Sequence, residues 1–190
     1  MALSCIAGWI SAVCWRNPVI FVTVGTSFPF DRLIKAIDAA VQQGLVREDF
    51  FAQIGKGGCA PRGFPFKEIL DKKEFDACFA EADAIISHAG MGTISMALEM
   101  NKPILVMPRL KKYKELVNNH QLAAARKFTE MGHVLSFYEE QELPVKILEL
   151  KNFKPVPRIC NIQGVSEKIA QIIEETMKNL QDAEVPDGGI

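Results

Sequence analysis

Short apolar runs alternate with amphipathic segments along most of the chain. The run Val19–Val24 is rich in β-branched residues and ends at Gly25, which is typical of a buried parallel strand. Further strands are predicted at 51–54, 84–87, 103–107 and 133–137. Positions spaced three and four residues apart predict helices between them, at 31–44, 75–82, 92–100, 118–131, 139–150 and 165–180.

This alternation predicts an α/β domain with an open, doubly wound parallel sheet. We expect Asp31 to cap the first helix through its side chain, since aspartate is favoured at that position. In such sheets, ligands bind beyond the carboxyl ends of the strands. The residues that follow each strand are therefore the candidates for a functional site.

The composition narrows the function classes. The chain has 190 residues, 48% of them hydrophobic, which suits one domain with a sizeable core. A formal net charge of -1 gives no overall electrostatic reason to expect a nucleic-acid partner. The five cysteines are scattered without a CxxC pair, so we expect reduced thiols in a cytoplasmic protein and no metal site.

The two ends of the chain differ from its middle. Residues 1–18 form an apolar extension that is too short to span a bilayer, and contact with a membrane or a partner is the alternative role for it. Residues 181–190 are polar and carry Gly and Pro, so we predict a disordered tail. The domain is expected to occupy residues 19–180.

Glycine turns follow two of the predicted strands. In the segment Ser87–Thr93, a helix N-terminus with Gly90 and Gly92 would offer free N–H groups to an anion, and Thr93 would add a hydroxyl. A second turn lies at Gly25 and Thr26. The alternative is that both turns are ordinary tight connections.

A third strand end carries Arg109, and three such ends converging on one crevice predict a nucleotide diphosphate site. The chain has no GxxxxGK[ST] motif, and no GxGxxG follows Val24, so neither of these phosphate-binding loops explains the site.

Several polar residues near these turns have two interpretations. His88 either binds phosphate or satisfies backbone groups in the crevice. The basic segment Arg109–Lys114 is either a solvated loop or a contact for phosphate or membrane lipid. Glu115 either faces the ligand or caps the helix that starts near Asn118.

Four motifs together resemble the donor-binding half of glycosyltransferase family 28: Val22–Thr26, Ile86–Thr93, Lys102–Ile104 and Asn119–Gln121. Two kinds of family member are similar in length and motif. One is the cytosolic subunit of the eukaryotic enzyme that adds the second GlcNAc of the dolichol-linked oligosaccharide, and the other is the cytosolic subunit of split bacterial exopolysaccharide transferases. The stretch Pro108–Gln121 looks more like the bacterial kind.

The resemblance implies one Rossmann-like half of a GT-B glycosyltransferase. It implies that the pyrophosphate of a UDP-sugar rests on Gly90, Gly92 and Thr93, and that Asn119, His120 and Gln121 contact the donor. The amide of Gln121 suits sugar hydroxyls because it both donates and accepts hydrogen bonds. Related enzymes hold the ribose with an acidic residue where this chain has Met96, so Glu99, one helical turn further on, becomes the candidate ribose contact.

The resemblance also implies a divided enzyme. No catalytic base is evident, no metal or other cofactor is expected, and the acceptor-binding half is missing from a chain of this length. We therefore expect a hexosyltransferase that works at the cytoplasmic face of a membrane as a heterodimer. A membrane-anchored partner subunit would recruit it there and bind the lipid-linked acceptor, in polysaccharide or glycan biosynthesis.

Other functions are also consistent with the sequence. The chain is alternatively a non-catalytic nucleotide-sugar-binding or adaptor module, or, less well supported, a hydrolase or epimerase acting on a nucleotide sugar. The sugar itself is open among GlcNAc, glucuronate, galactose and glucose.

Overall fold

The computed structural model describes residues 19–26 and 28–157. Within them the strands form one six-stranded parallel sheet of order β3-β2-β1-β4-β5-β6. The strands are β1 Val19–Thr23, β2 Asp49–Gln53, β3 Phe66–Lys67, β4 Ala84–His88, β5 Ile104–Met107 and β6 Leu135–Ser136. The predicted extension at 1–18, the helix at 165–180 and the tail at 181–190 lie outside the described residues.

Helices cover both faces of the sheet, which confirms the doubly wound α/β prediction. They are α1 Asp31–Gln42, α2 Lys72–Glu81, α3 Met91–Glu99, α4 His120–Glu130 and α5 Leu143–Asn152, with 3-10 turns at Lys111–Tyr113 and Glu140–Glu142. Helices α1 and α5 pack in one apolar cluster, and α2, α3 and α4 pack in a second. Among the helices described, none combines the length and the hydropathy that a membrane-spanning segment requires.

Strand β1 shows why the sheet is buried on both sides. Ile20 and Val22 belong to the first apolar cluster and Phe21 to the second, as the two-residue period of a strand requires. Phe21 packs edge-on against Phe79 of α2, with ring centroids 6.3 Å apart. The continuous apolar run seen in the sequence therefore serves two cores at once.

The predicted cap at Asp31 is wrong. Phe30 is the N-cap of α1 and makes no side-chain cap bond, because Asp31 lies inside the helix and its carboxylate accepts a hydrogen bond from Cys59 N–H at 2.9 Å. A side-chain cap occurs instead on α2, where Asp71 and Glu74 form a capping box. This pair, and the short strand β3, lie in a segment that the apolar pattern left unassigned.

The strand order reverses between β1 and β4, which lie side by side with Thr23 opposite Ser87. The chain leaves β1 toward α1 on one face and leaves β4 toward α3 on the other. The two connections diverge at the carboxyl edge, where open α/β sheets form their ligand-binding crevice. This edge carries the predicted site.

Candidate functional site

The imidazole of His88 lies between the two glycine turns. A Cβ placed on Gly25 would stand 3.2 Å from its Cε1, and one placed on Gly90 would stand 2.9 Å from its Cδ2. Gly25 also has a φ of +78°, which favours glycine. Glycine is favoured at position 25 by its backbone conformation and at position 90 by the close approach of the imidazole, and the structure brings Gly25, His88 and Gly90 together as predicted.

His88 is held as a neutral imidazole. Burial, together with the nearby charge of Arg109, lowers its pKa to about 4. Ser87 donates its only hydroxyl proton to the carbonyl of Thr23 at 2.7 Å, so its oxygen accepts from His88 Nδ1 at 3.2 Å. This assigns the proton to Nδ1 and leaves the lone pair on Nε2, the atom nearest to Gly90.

Helix α3 presents its N-terminus beside this histidine. Gly90 is the N-cap and makes no side-chain cap bond, so the first N–H groups of the helix have no partner from a capping side chain. Gly92 is exposed, and a Cβ there would meet nothing within 4 Å. Thr93 stands in the same first turn and is half-buried. These groups offer hydrogen-bond donors and a partial positive charge to an anion.

Arg109 is buried, so the interpretation of its segment as a solvated loop does not hold for this residue. It is only 4% exposed, and its guanidinium lies over the ring of Phe30 at 5.2 Å. Nη2 donates to the carbonyls of Val24 at 2.9 Å and Phe28 at 2.6 Å, whereas the buried Nε has no partner. Arg109 thus fixes the turn that follows β1 and brings a buried positive charge to the crevice.

The amide cluster at the start of α4 supports the same loop. Gln121 is buried, and its Oε1 accepts from the backbone N–H of Arg109 at 3.1 Å. Asn119 accepts from the backbone N–H of Lys111 at 2.9 Å, and the exposed His120 bonds to the side chain of Asn118 through Nδ1. This bond fixes the orientation of the Gln121 amide and occupies one of the two acceptor positions on its oxygen.

Glu115 does not cap α4, whose N-cap is Asn119. It forms a two-pronged ion pair with Arg32 of α1, at 2.8 and 3.0 Å, and also accepts from Leu110 N–H at 2.8 Å. Arg32 donates in addition to the carbonyl of Pro108 at 2.9 Å. The pair ties the segment after β5 to the start of α1, so Glu115 shapes the crevice wall and does not cap α4.

Two predicted contacts are placed less favourably. Thr26 is exposed on the turn after β1. Glu99 is exposed at the last position of α3, about 12 Å along the helix axis from Met91. Its role as a ribose contact stays a prediction, and Met96 packs partly against the core.

Sequence reasoning missed Gln53, a buried polar residue at the end of β2. Its Nε2 donates to the carbonyl of Gly25 at 3.3 Å, and its Oε1 accepts from Leu70 N–H at 3.0 Å. The available signal was a glutamine inside the strand predicted at 51–54. A buried amide needs hydrogen-bond partners on both its oxygen and its nitrogen, so it fixes the segments around it. Gln53 holds the first glycine turn from the side opposite to Arg109.

Comparison with known proteins places the chain in a family. Residues 19–176 match the model described as the glycosyltransferase family 28 C-terminal domain. The human "UDP-N-acetylglucosamine transferase subunit ALG13" is 36% identical over 124 residues, which are 60% of this chain and 10% of that protein. The Clostridium botulinum "UDP-N-acetylglucosamine--N-acetylmuramyl-(pentapeptide) pyrophosphoryl-undecaprenol N-acetylglucosamine transferase" is 33% identical over 115 residues, 58% of this chain and 31% of that protein. The matched part of the chain spans about a tenth of the human relative and a third of the bacterial one.

Solved structures share the fold. The NMR structure of ALG13 has a TM-score of 0.51 at 24% identity and covers 77% of this chain and 92% of that one. Acinetobacter baumannii MurG has a TM-score of 0.55 at 19% identity, over 73% of this chain and 43% of that one. The expected Rossmann-like architecture is thus confirmed. Because the family match extends over residues 19–176, most of its length, the chain belongs to glycosyltransferase family 28.

Proposed function

We propose that this chain is the donor-binding subunit of a UDP-sugar-dependent glycosyltransferase. The observation that carries the proposal is the packing of His88 between Gly25 and Gly90, directly beside the uncapped N-terminus of α3. This arrangement leaves backbone N–H groups free at the point where the strand order reverses, the position at which open α/β sheets bind nucleotides.

The charges near this edge favour a diphosphate. The guanidinium of Arg109 is buried, and the hydrogen bonds it donates to described residues go to the carbonyl oxygens of Val24 and Phe28, while the carboxylate of Glu115 is occupied by Arg32. A buried cation without a carboxylate partner attracts an anionic ligand. Gly92 leaves open space above the helix, so a phosphate can approach the backbone closely.

The relatives support the donor and the divided organisation. Several are named as a subunit of a UDP-N-acetylglucosamine transferase, and others as transferases of N-acetylglucosamine. We therefore rank a UDP-N-acetylhexosamine first among the donors. Glucuronate, galactose and glucose remain alternatives, as the bacterial exopolysaccharide resemblance of Pro108–Gln121 suggests.

The chemistry divides between this chain and a partner. An acceptor hydroxyl attacks the anomeric carbon of the sugar, the bond from that carbon to the diphosphate breaks, and UDP leaves with an added negative charge. The N-terminus of α3 stabilises this charge without a metal. His88 has a free lone pair on Nε2, but burial and the charge of Arg109 lower its pKa to about 4, which makes it a weak base for this step. The base and the lipid-linked acceptor site are assigned to a membrane-anchored subunit that closes over the crevice and recruits this chain to the cytoplasmic face.

The test is a calorimetric titration of the chain with UDP and with UDP-N-acetylglucosamine, compared between the native protein and Gly92→Asp. The new carboxylate repels the diphosphate, and a Cβ at this position meets no atom within 4 Å, so the fold is expected to persist. Ala39→Glu is the matched control, because it adds the same charge at an exposed position on α1. Binding that Gly92→Asp abolishes and Ala39→Glu preserves would support the proposal.

The second candidate is a non-catalytic adaptor that keeps the glycine turns only to accommodate His88. It predicts no UDP binding by the chain, alone or with a partner subunit, and an unchanged titration in Gly92→Asp. Binding of UDP without sugar transfer in the reconstituted complex would identify a nucleotide-sugar-binding module instead.

A further inference from the structure

A cluster of three lysines stands on the segment that leaves β5. Lys111, Lys112 and Lys114 fall within four residues, and all three are exposed. Lys112 Nζ lies 3.9 Å from Glu139 Oε1. The only carboxylate within residues 111–117 is that of Glu115, and it is paired with Arg32. We call Lys111–Val117 the basic turn. It carries a local positive charge on a chain whose net charge is -1.

The basic turn is held in a defined shape. Its first residues form a 3-10 turn, and Lys114 closes it in the left-handed conformation at a φ of +59°. Glu115 anchors it to Arg32, and Asn119 accepts a hydrogen bond from Lys111 N–H at 2.9 Å. The lysine side chains are therefore displayed on a fixed support and do not belong to a freely moving loop.

Apolar side chains are exposed on the same turn. Val117 is 82% exposed, and Tyr113 is 45% exposed although its ring covers the guanidinium of Arg32 at 4.6 Å. A tyrosine among lysines, next to a largely exposed aliphatic residue, is a combination that membrane interfaces favour. Transfer of an aliphatic side chain from water to the acyl boundary lowers the free energy.

We propose that the basic turn is a membrane-docking surface that binds anionic phospholipid headgroups. Lysines near such a surface each contribute attraction, and headgroup phosphates require no shaped pocket. The exposed ammonium groups and the projecting Val117 fit this flat, negatively charged partner. This docking involves neither the proposed donor site nor the partner subunit, so it can be tested independently of both.

The placement gives the docking a consequence for orientation. The basic turn follows β5 and therefore lies at the carboxyl edge of the sheet, the edge that also carries His88 and the N-terminus of α3. A chain docked through this turn turns its crevice side toward the bilayer. Lipid-linked molecules would then reach the crevice along the membrane surface.

The test is flotation of the full chain with lipid vesicles at low and physiological salt. One set is neutral phosphatidylcholine, and the other contains phosphatidylserine. The variants are Lys111→Gln with Lys114→Gln, and separately Val117→Asp. The control is Lys35→Gln with Lys73→Gln, which removes the same charge from exposed positions on α1 and α2.

We expect binding only to the anionic vesicles, with each lysine contributing about fivefold, so that the double variant on the turn binds about 25-fold more weakly. Val117→Asp should also weaken binding, salt should reduce it, and the control should bind like the native chain. Three results would each overturn the proposal: no binding to anionic vesicles, equal binding to both kinds, or native binding by the lysine variant. Native binding by the lysine variant would assign the membrane affinity to another segment, such as the apolar residues 1–18.

Discussion

His88 and Gly90 are in contact so close that any side chain at position 90 would displace the imidazole. A Cβ there would stand 2.9 Å from Cδ2 and 3.0 Å from Cε1 of His88. We expect Gly90→Ala to destabilise the protein by about 1–3 kcal/mol, because the ring is also confined by Gly25 on its other side. Urea unfolding of the variant measures this loss.

A side chain at position 92 should have the opposite effect on the stability of the protein. It is helical, and a Cβ would meet nothing within 4 Å, so Gly92→Ala should stabilise α3 by about 0.5–1 kcal/mol. If the diphosphate approaches this turn, the same methyl group should weaken UDP binding about tenfold, the cost of one lost hydrogen bond. Unfolding curves and UDP titrations of this one variant separate the two effects. Unchanged UDP affinity would count against the donor site.

The histidine should also make stability depend on pH. Its pKa is lowered to about 4 in the folded protein, mainly by burial, from an ordinary value of 6.5. Between these two pH values the unfolded chain therefore binds more protons than the folded protein. The free energy of unfolding should be unaffected by His88 above about pH 6.5 and should decrease progressively as the pH falls toward 4. The loss should reach on the order of 3 kcal/mol. Urea unfolding at intervals between pH 7 and pH 4.5 measures it.

His88→Gln provides the comparison for this pH dependence. The variant has no imidazole to titrate, so its stability should change less over the same range even if it is lower throughout. Burial alone would raise the pKa of Glu48, but Lys151 and two backbone N–H groups lower it overall, so Glu48 adds a loss of stability at lower pH in both proteins. Parallel curves for the two proteins would show that His88 is not the group responsible.

The sheet and its glycine turns were predictable because both depend on local pattern. The run Val19–Val24 has no polar surface to spare, and a glycine after such a run is the usual way to leave a buried strand. In most elements the observed ends differ from the predicted ends by a few residues; α3, for example, was predicted at 92–100 and spans Met91–Glu99. Short β3 was missed because two residues cannot display a period.

The side-chain partners were not predictable, since they are set by contacts distant in sequence. Arg109 is buried by carbonyls more than 80 positions away, at Val24 and Phe28, whereas its lysine neighbours remain in solvent. Glu115 is bound by Arg32 at a separation of 83. A charge pattern along the chain cannot distinguish such residues, because tertiary packing alone decides which charge is enclosed.

The Arg32–Glu115 pair should be coupled more strongly than a surface pair. Its side chains are 11% and 12% exposed, whereas the Lys72–Asp76 pair, although shorter at 2.6 Å, is 86% and 42% exposed. We expect a double-mutant cycle of Arg32→Ala and Glu115→Ala to give a coupling of about 1–3 kcal/mol. The same cycle at Lys72 and Asp76 should give at most about 0.5 kcal/mol. Equal couplings would show that distance, and not burial, controls these pairs.

The charge of Arg109 should be measurable at His88. Arg109 is the second cause, after burial, that lowers the pKa of His88 from its ordinary value to about 4. We therefore expect Arg109→Met to raise the pKa of the imidazole, though not to 6.5, because the burial remains. An NMR titration of the histidine ring signals gives the value directly. Lys56→Met is the control, since Lys56 is exposed and is not among the groups that shift His88. If both variants leave the pKa of His88 unchanged, then Arg109 does not act on the crevice through its charge, and its role is limited to holding the carbonyls of Val24 and Phe28.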